Sequence, residues 1–417
     1  MIWRALYSLL WWLLTPLVRY YLKKRARKSP AYLDHWDERF GKAFYPQQQG
    51  GIWVHAVSVG ETRAAMPLIR ALRQRWPDAP LLITQMTPTG RACAEALYGR
   101  EAEIRYLPYD YPQAVRAFMA AYRPRFGVLM ETELWPNLIA AAHDSQTPLF
   151  LVNARLSEKS RRGYRRVAAL IRPAMAQLTA IAAQTPADAE RLADIGGRDI
   201  EVCGNTKYDF DPPAEQAVLG AGFKARIGPR PVLVCASTRE GEENLILQAW
   251  REMTERPLLV LVPRHPERFS AVAALARSCG LVVQCRSDEL AVAPETDVWL
   301  GDSMGEMFAY YHAADLVFIG GSLMPLGGQN LIEPASIGRP VLIGPSSYNF
   351  ADACSKALAG GAALQVDSGT DLVVKVNELL ADPERMSAMS AAGLRFSQEH
   401  RGASQRIVQL IAGRLGN

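Results

Sequence analysis

Cysteine and histidine are scarce in this chain, six of each in 417 residues. Cys93, Cys203, Cys235, Cys279, Cys285 and Cys354 are scattered with no C-x-x-C pair. That spacing excludes a disulfide framework and a structural zinc site, and implies a reducing compartment. Several of these cysteines fall in apolar, strand-like runs, where a reduced thiol behaves as a small hydrophobe. The histidines form no H-E-x-x-H or comparable ligand pattern, so no protein metal centre is predicted. A P-loop is also missing. The only G-x-G-x-x-A match, Gly220–Ala225, follows a polar helical segment instead of a strand, which removes the context a dinucleotide site needs. The net charge of +5 is mild, and no long basic stripe with interleaved aromatics runs through the body of the chain, so nucleic acid is not an expected partner.

What is present describes an ordinary folded protein, with 21% charged and 49% hydrophobic residues. The length exceeds what one hydrophobic core supports, so two domains are expected. The amino terminus stands apart. Ala5–Val18 is apolar or nearly so, and Arg19, Lys23, Lys24, Arg25, Arg27 and Lys28 follow it. As a helix the apolar stretch spans only ~21 Å, short of the ~30 Å hydrocarbon thickness. Arg4 and Arg19 can snorkel, and Trp3, Trp11, Trp12, Tyr20 and Tyr21 suit an interface. A cleaved signal peptide fits poorly, because the basic cluster comes after the apolar run and no A-x-A-like site follows. The reading is an uncleaved anchor, spanning the bilayer or lying in its interface. Its basic flank marks the cytoplasmic side and holds anionic headgroups.

Beyond residue 28 short apolar runs alternate with helical patterns. Strands are predicted at 51–56, 81–85, 104–107, 127–130, 149–153, 180–183 and 201–203. A second series falls at 232–235, 258–262, 282–284, 298–301, 316–319, 341–343 and 363–366. Each is a βαβ series and implies a parallel sheet covered on both faces. The pattern breaks at Asp209-Phe210-Asp211-Pro212-Pro213. The predicted organisation is an anchor at 1–28, a Rossmann-like domain at 29–211, a linker at 212–229 and a second Rossmann-like domain at 230–417, the two doubly wound domains facing across a cleft. The last helix, from about Arg395, can return to the first domain.

Ligands of such sheets bind beyond the carboxyl ends of the strands. Two acidic clusters sit at such ends. Val57-Ser58-Val59-Gly60-Glu61-Thr62 follows Ile52–Val54, and Glu131-Thr132-Glu133-Leu134-Trp135-Pro136 follows Gly127–Met130. Glu61 can project into the crevice as a general base; the alternative is a first-turn carboxylate that favours the helix dipole. Glu131 and Glu133 are costly beside an apolar strand end unless something uses them. In the second series Arg264 follows Leu258–Val262 and can fork onto a phosphate or carboxylate. Gly301–Glu306 and the glycine-rich Gly320–Glu333 lead into helices, where backbone N–H groups can receive a phosphate and Glu333 can accept from ribose hydroxyls.

These segments, with Met86-Thr87-Pro88-Thr89-Gly90, Tyr106–Asp110, Asn153–Ser157, Gly204–Asp209 and Val262–Phe269, resemble the Kdo transferases of lipopolysaccharide core assembly. Members of that family move 3-deoxy-D-manno-octulosonic acid (Kdo) from CMP-Kdo onto a lipid A precursor, lipid IVA. The motifs are long, ordered and spread from the anchor to the final helix. Asn205-Thr206 before Lys207 departs from an expected Ser-Leu, and Gln329 stands where His or Gln is found. The resemblance implies the GT-B fold, an acceptor-binding first domain, a CMP-sugar-binding second domain, and an inverting, metal-independent transfer without a cofactor at the cytoplasmic face of the inner membrane. It places the catalytic base on Glu61 and transition-state stabilisation on Glu131 and Lys207. It places CMP contacts on Pro263, Arg264, Met304, Gly305, Glu306, Asn330, Leu331, Ile332 and Glu333. The motif set separates this family from a nucleotide-sugar transferase or a sugar-nucleotide epimerase of the same fold. Glu61, Glu131, Lys207 and Arg264 together argue against a catalytically silent membrane-surface module.

Overall fold

The computed structural model describes residues 2–27, 29–42, 44–253 and 256–416; Lys28, the last member of the basic flank, lies outside them. The chain divides into two compact units, Met1–Phe210 with Arg401–Asn417, and Asp211–His400.

The first unit is built on a seven-stranded parallel sheet: β1 (Ile52–His55), β2 (Leu81–Gln85), β3 (Glu103–Tyr106), β4 (Phe126–Met130), β5 (Leu149–Ala154), β6 (Ala180–Ala183) and β7 (Ile200–Val202), in the order β3-β2-β1-β4-β5-β6-β7. The inner strands read as largely apolar runs because both faces are covered, while the edge strands β3 and β7 carry Glu103, Arg105 and Glu201. Ile52 and Val54 enter one core with Val128, Met130 and Leu68. Trp53 and Leu129 point the other way, into a core with Phe118, Ile139 and Met175. At Gly127 a Cβ would lie 2.5 Å from the Trp53 ring, so the indole dictates glycine in the neighbouring strand.

The carboxy-terminal helix Ala403–Leu415 belongs to this unit, resolving the return that the sequence left open. Its Ile407, Val408, Leu410 and Ile411 complete the core beneath helix Val59–Arg75. Asp209 holds its start, accepting from the amides of Gly402 (2.6 Å), Ala403 (3.3 Å) and Ser404 (2.5 Å). Arg414 at its far end pairs with Asp199 and Glu201.

The amino-terminal helix Ile2–Ala26 lies on the first unit by one face. The Ser8 hydroxyl donates to Asn137 Oδ1 (3.1 Å), Thr15 Oγ1 meets the Tyr111 hydroxyl (2.9 Å), and Trp11 stacks on Tyr109. The opposite face leaves Ile2, Trp3, Leu6, Leu9, Leu10, Leu13, Leu17 and Tyr20 exposed, Leu13 at 69%. Among the described residues no helix is long and apolar enough to cross a membrane.

The second unit repeats the plan with β8 (Val232–Thr238), β9 (Leu258–Pro263), β10 (Val283–Cys285), β11 (Val298–Leu300), β12 (Leu316–Ile319), β13 (Val341–Ile343) and β14 (Ala363–Gln365), all parallel, in the order β10-β11-β9-β8-β12-β13-β14. Residues 212–229, expected as a linker, instead contain the helix Ala214–Ile227, which packs on this unit. Phe223 is its anchor, buried edge-on to Trp299 and beside Tyr310.

Candidate active site

In the first unit, parallel strands bring the predicted carboxylates to one sheet edge. Glu61 lies in the first turn of helix Val59–Arg75, just beyond β1. Its Oε2 accepts from the Val57 amide at 2.7 Å. So the helix-start role is real, but it engages one oxygen of the carboxylate. Burial pushes the Glu61 carboxyl up to about 7; the Val57 amide opposes the rise, Glu133 and Glu131 add to it, and Arg155 counters it. A carboxylate near 7 can accept a proton at neutral pH and still bind it well, as a general base requires.

Glu131 follows β4 in a left-handed backbone conformation (φ +58°), a geometry that costs a non-glycine residue on the order of 1–3 kcal/mol. Its amide stays on the sheet, donating to the Val152 carbonyl of β5 (3.0 Å). The kink turns the buried side chain towards two cations. Arg155 Nε donates to Glu131 Oε2 (3.0 Å), and Lys207 Nζ lies 3.5 Å from Oε1. Glu133 accepts from the Trp135 indole (2.6 Å), while burial, as the main cause, pushes its carboxyl up. Asp110 fixes the helix that follows this loop: its buried carboxylate accepts from the amides of Asn137 (3.0 Å) and Leu138 (2.8 Å) at the start of helix Pro136–Asp144.

Lys207 rides on a short 3₁₀ turn, Thr206–Tyr208, beyond β7. Three amides shape that turn. Asn153, itself at φ +50°, accepts from the Thr206 N–H (3.1 Å), and Asn205 accepts from the Lys207 N–H (2.9 Å). Gln184 bridges the two, donating to the Asn153 carbonyl and accepting from the Asn205 amide. Asn205, where the resemblance led to an expected Ser, thus caps the turn that carries Lys207. Arg155 and Asn153 were absent from the predicted site residues; their sequence signal was the family-like segment Asn153–Ser157 at the exit of β5.

In the second unit the remaining predicted residues also gather at strand ends. Pro263 closes β9, and the Arg264 amide donates to the Thr238 carbonyl at the end of β8 (3.0 Å). Beyond β11, Met304 is exposed and Gly305 takes φ +82°. Glu306 is held by Ser303 and by Arg286 (2.8 Å). Past β12, Asn330 Oδ1 accepts from the Ile332 amide (3.0 Å) and its Nδ2 donates to Glu333 (3.0 Å). Leu331 and Ile332 bury their side chains completely, so only their backbone can meet a ligand. At the head of the Gly320–Glu333 loop, three backbone amides have an acceptor within the protein. Gly321, Ser322 and Leu323 donate to the buried carboxylate of Glu242.

The family model for 3-Deoxy-D-manno-octulosonic-acid transferase (kdotransferase) matches residues 34–210. Over 432 aligned residues the chain is 41% identical to the 3-deoxy-D-manno-octulosonic acid transferase of Bordetella pertussis, covering 99% of this chain and 100% of that one. It is 35% identical to the enzyme of the same description from Haemophilus influenzae, covering 98% of each. Among solved structures, a glycosyltransferase from Rickettsia africae superposes with a TM-score of 0.60 at 11% identity, covering 89% of this chain and 100% of that one. A UDP-GlcNAc 2-epimerase from Neisseria meningitidis does so with a TM-score of 0.59 at 15% identity, covering 87% and 100%. At such identities these neighbours establish the GT-B fold and nothing of the chemistry. The full-length relatives decide the family: the chain belongs to the 3-deoxy-D-manno-octulosonic acid transferases, glycosyltransferases of lipopolysaccharide biosynthesis.

Proposed function

We propose that the protein transfers Kdo from CMP-Kdo to a hydroxyl of a lipid A precursor, lipid IVA, in a single inverting displacement with Glu61 as general base. The acceptor hydroxyl attacks the anomeric carbon of Kdo as its proton passes to Glu61. The bond from that carbon to the phosphate oxygen breaks, and CMP departs with the electron pair. The observation that carries this reading is the carboxyl of Glu61, raised to about 7 by burial among other carboxylates at a strand end. Glu131, clasped by Arg155 and Lys207, fixes two cations at the same edge. They suit the Kdo carboxylate or the charge that grows on the leaving phosphate. Arg264, Glu306 and the segment Asn330–Glu333 form the donor site, with the Arg264 guanidinium on the phosphate. The proposed transfer runs without a metal, the negative charge being met by Arg264, Arg155 and Lys207.

The acceptor is an anionic amphiphile, and the amino-terminal helix fits its location. One face is docked on the first unit and the other presents tryptophans, leucines and tyrosines. Such a helix lies in the interface plane, with its basic end on anionic headgroups at the cytoplasmic face of the inner membrane. Incubation with CMP-Kdo and a tetraacylated lipid A precursor tests the activity. The acceptor mass should rise by one Kdo or more, with and without EDTA. An acceptor left unchanged by active, folded enzyme would refute the assignment of substrate.

A further inference from the structure

Two consecutive glutamates at the start of helix Glu242–Arg251 are both fully buried, in a stretch that carries no predicted role. Each is committed to a different loop. Glu243 takes the Arg268 guanidinium in a fork, at 2.5 and 3.1 Å. Arg268 closes the short 3₁₀ turn Pro266–Arg268 that directly follows Pro263, Arg264 and His265. Glu242 faces the other way. Its Oε2 accepts from the amides of Gly321 (2.6 Å) and Arg239 (3.3 Å), and its Oε1 from those of Ser322 (3.1 Å) and Leu323 (3.0 Å). Consecutive backbone N–H groups of this kind form an anion-binding nest, and Gly321 supplies the left-handed step (φ +70°) that folds it. The surroundings admit little adjustment. A Cβ on Gly320 would lie 2.6 Å from the backbone of Ser237, and one on Gly344 would lie 2.3 Å from that of Ser322.

We infer that Glu242 is a positioning residue of the donor site, an internal anion that permanently fills the nest at the head of the glycine-rich loop and fixes the course of the loop towards Asn330–Glu333. Its neighbour Glu243 does the same for the Arg264 loop through Arg268, so one helix turn sets the spacing of both loops. The consequence for the reaction is specific: the nest amides are spent on the protein's own carboxylate, and the donor phosphate is left to other groups. This rests on the reading of these loops as the CMP-Kdo site.

Glu242→Gln tests it, because an amide nitrogen would face N–H donors where a carboxylate oxygen now accepts. The expected result is a Kd for CMP and a KM for CMP-Kdo each raised about tenfold or more, equivalent to about 1.4 kcal/mol of donor binding. At saturating donor, kcat should stay within about threefold, since no group meeting the reacting atoms has changed. Unchanged CMP affinity in a folded variant would overturn the proposal. Hydrogen exchange on the unmodified protein tests it without any substitution. The amides of Gly321, Ser322 and Leu323 should exchange slowly without ligand, with no added protection from CMP. Fast exchange that becomes slow only on adding CMP would make the nest the phosphate site and refute the inference. Arg264→Ala is the control. If it weakens CMP binding while Glu242→Gln does not, only the Glu242 proposal falls; if neither does, the donor-site reading falls with it.

Discussion

Glu61→Gln should remove activity and add stability. The folded environment lifts the Glu61 carboxyl from an ordinary 4.5 to about 7, mainly by burial. A rise of that size corresponds to at most about 3 kcal/mol between the protonated and ionised forms. Glu61 is partly exposed, so solvent screening leaves roughly 1–2 kcal/mol. The folded chain holds this proton more tightly than the unfolded chain. The associated stability is therefore complete below about 4.5 and is lost as pH rises through about 7. Glutamine imitates the protonated form and can still accept from the Val57 amide. In chemical denaturation the variant should match the parent at pH 4 and exceed it at pH 8. Transfer should fall by about 10²–10⁴-fold, the usual cost of losing a general base. In the parent, the acid limb of kcat/KM should bend near pH 7. A limb near 4.5, or a variant with parental turnover, would reduce Glu61 to a helix-start carboxylate and sink the mechanism.

Arg264→Ala should raise the requirement for CMP-Kdo by about 10–100-fold, since a charge-assisted bond of ~1.5–3 kcal/mol is lost; Lys there should rescue only part, and donor titrations decide. EDTA should leave both rates unchanged, and activity that vanishes on chelation and returns with magnesium would contradict a metal-free transfer. A chain beginning at Ser29 should fold and bind CMP but lose most of its activity on acceptor in anionic vesicles, and least on detergent-dispersed acceptor. If it unfolds, the amino-terminal helix is core and not an interface element. Asp209→Ala should cost the first unit about 1–2 kcal/mol as a lost helix cap, seen as earlier proteolytic release of residues beyond Arg401.

The strands were legible because a sheet buried on both faces imposes continuous apolar runs, as in Leu258–Val262, and their ends pointed to Glu61 and Glu131. Arg155 was not legible as a site residue. Its meaning depends on β5 lying beside β4, a pairing that no local pattern encodes, and by itself it reads as a surface arginine. Ala214–Ile227 looked like a linker because its buried side consists only of Gly220, Phe223 and Ile227, too thin a stripe to stand out in a polar stretch. Nothing local marks Glu242 and Glu243 as buried, since they follow Arg239-Glu240-Gly241 in a charged stretch. Apart from the Arg239 amide, the amides and the guanidinium that make their burial tolerable come from segments later in the chain. A paired carboxylate hides its burial from sequence when its partners are distant.

The placement of Ala403–Leu415 has a consequence for synthesis. Its apolar residues fill a core whose other walls, β1, β4 and helix Val59–Arg75, leave the ribosome first. The first unit must therefore wait with an open groove while the entire second unit is translated and folds. Domains generally fold in the order they emerge, but here the earlier one is finished last, by the end of the chain. During that interval two apolar surfaces of the same unit are uncovered, the groove awaiting the last helix and the outer face of the amino-terminal helix. An early bilayer encounter would shield the second surface. A truncation before Arg401 would leave the first open for good.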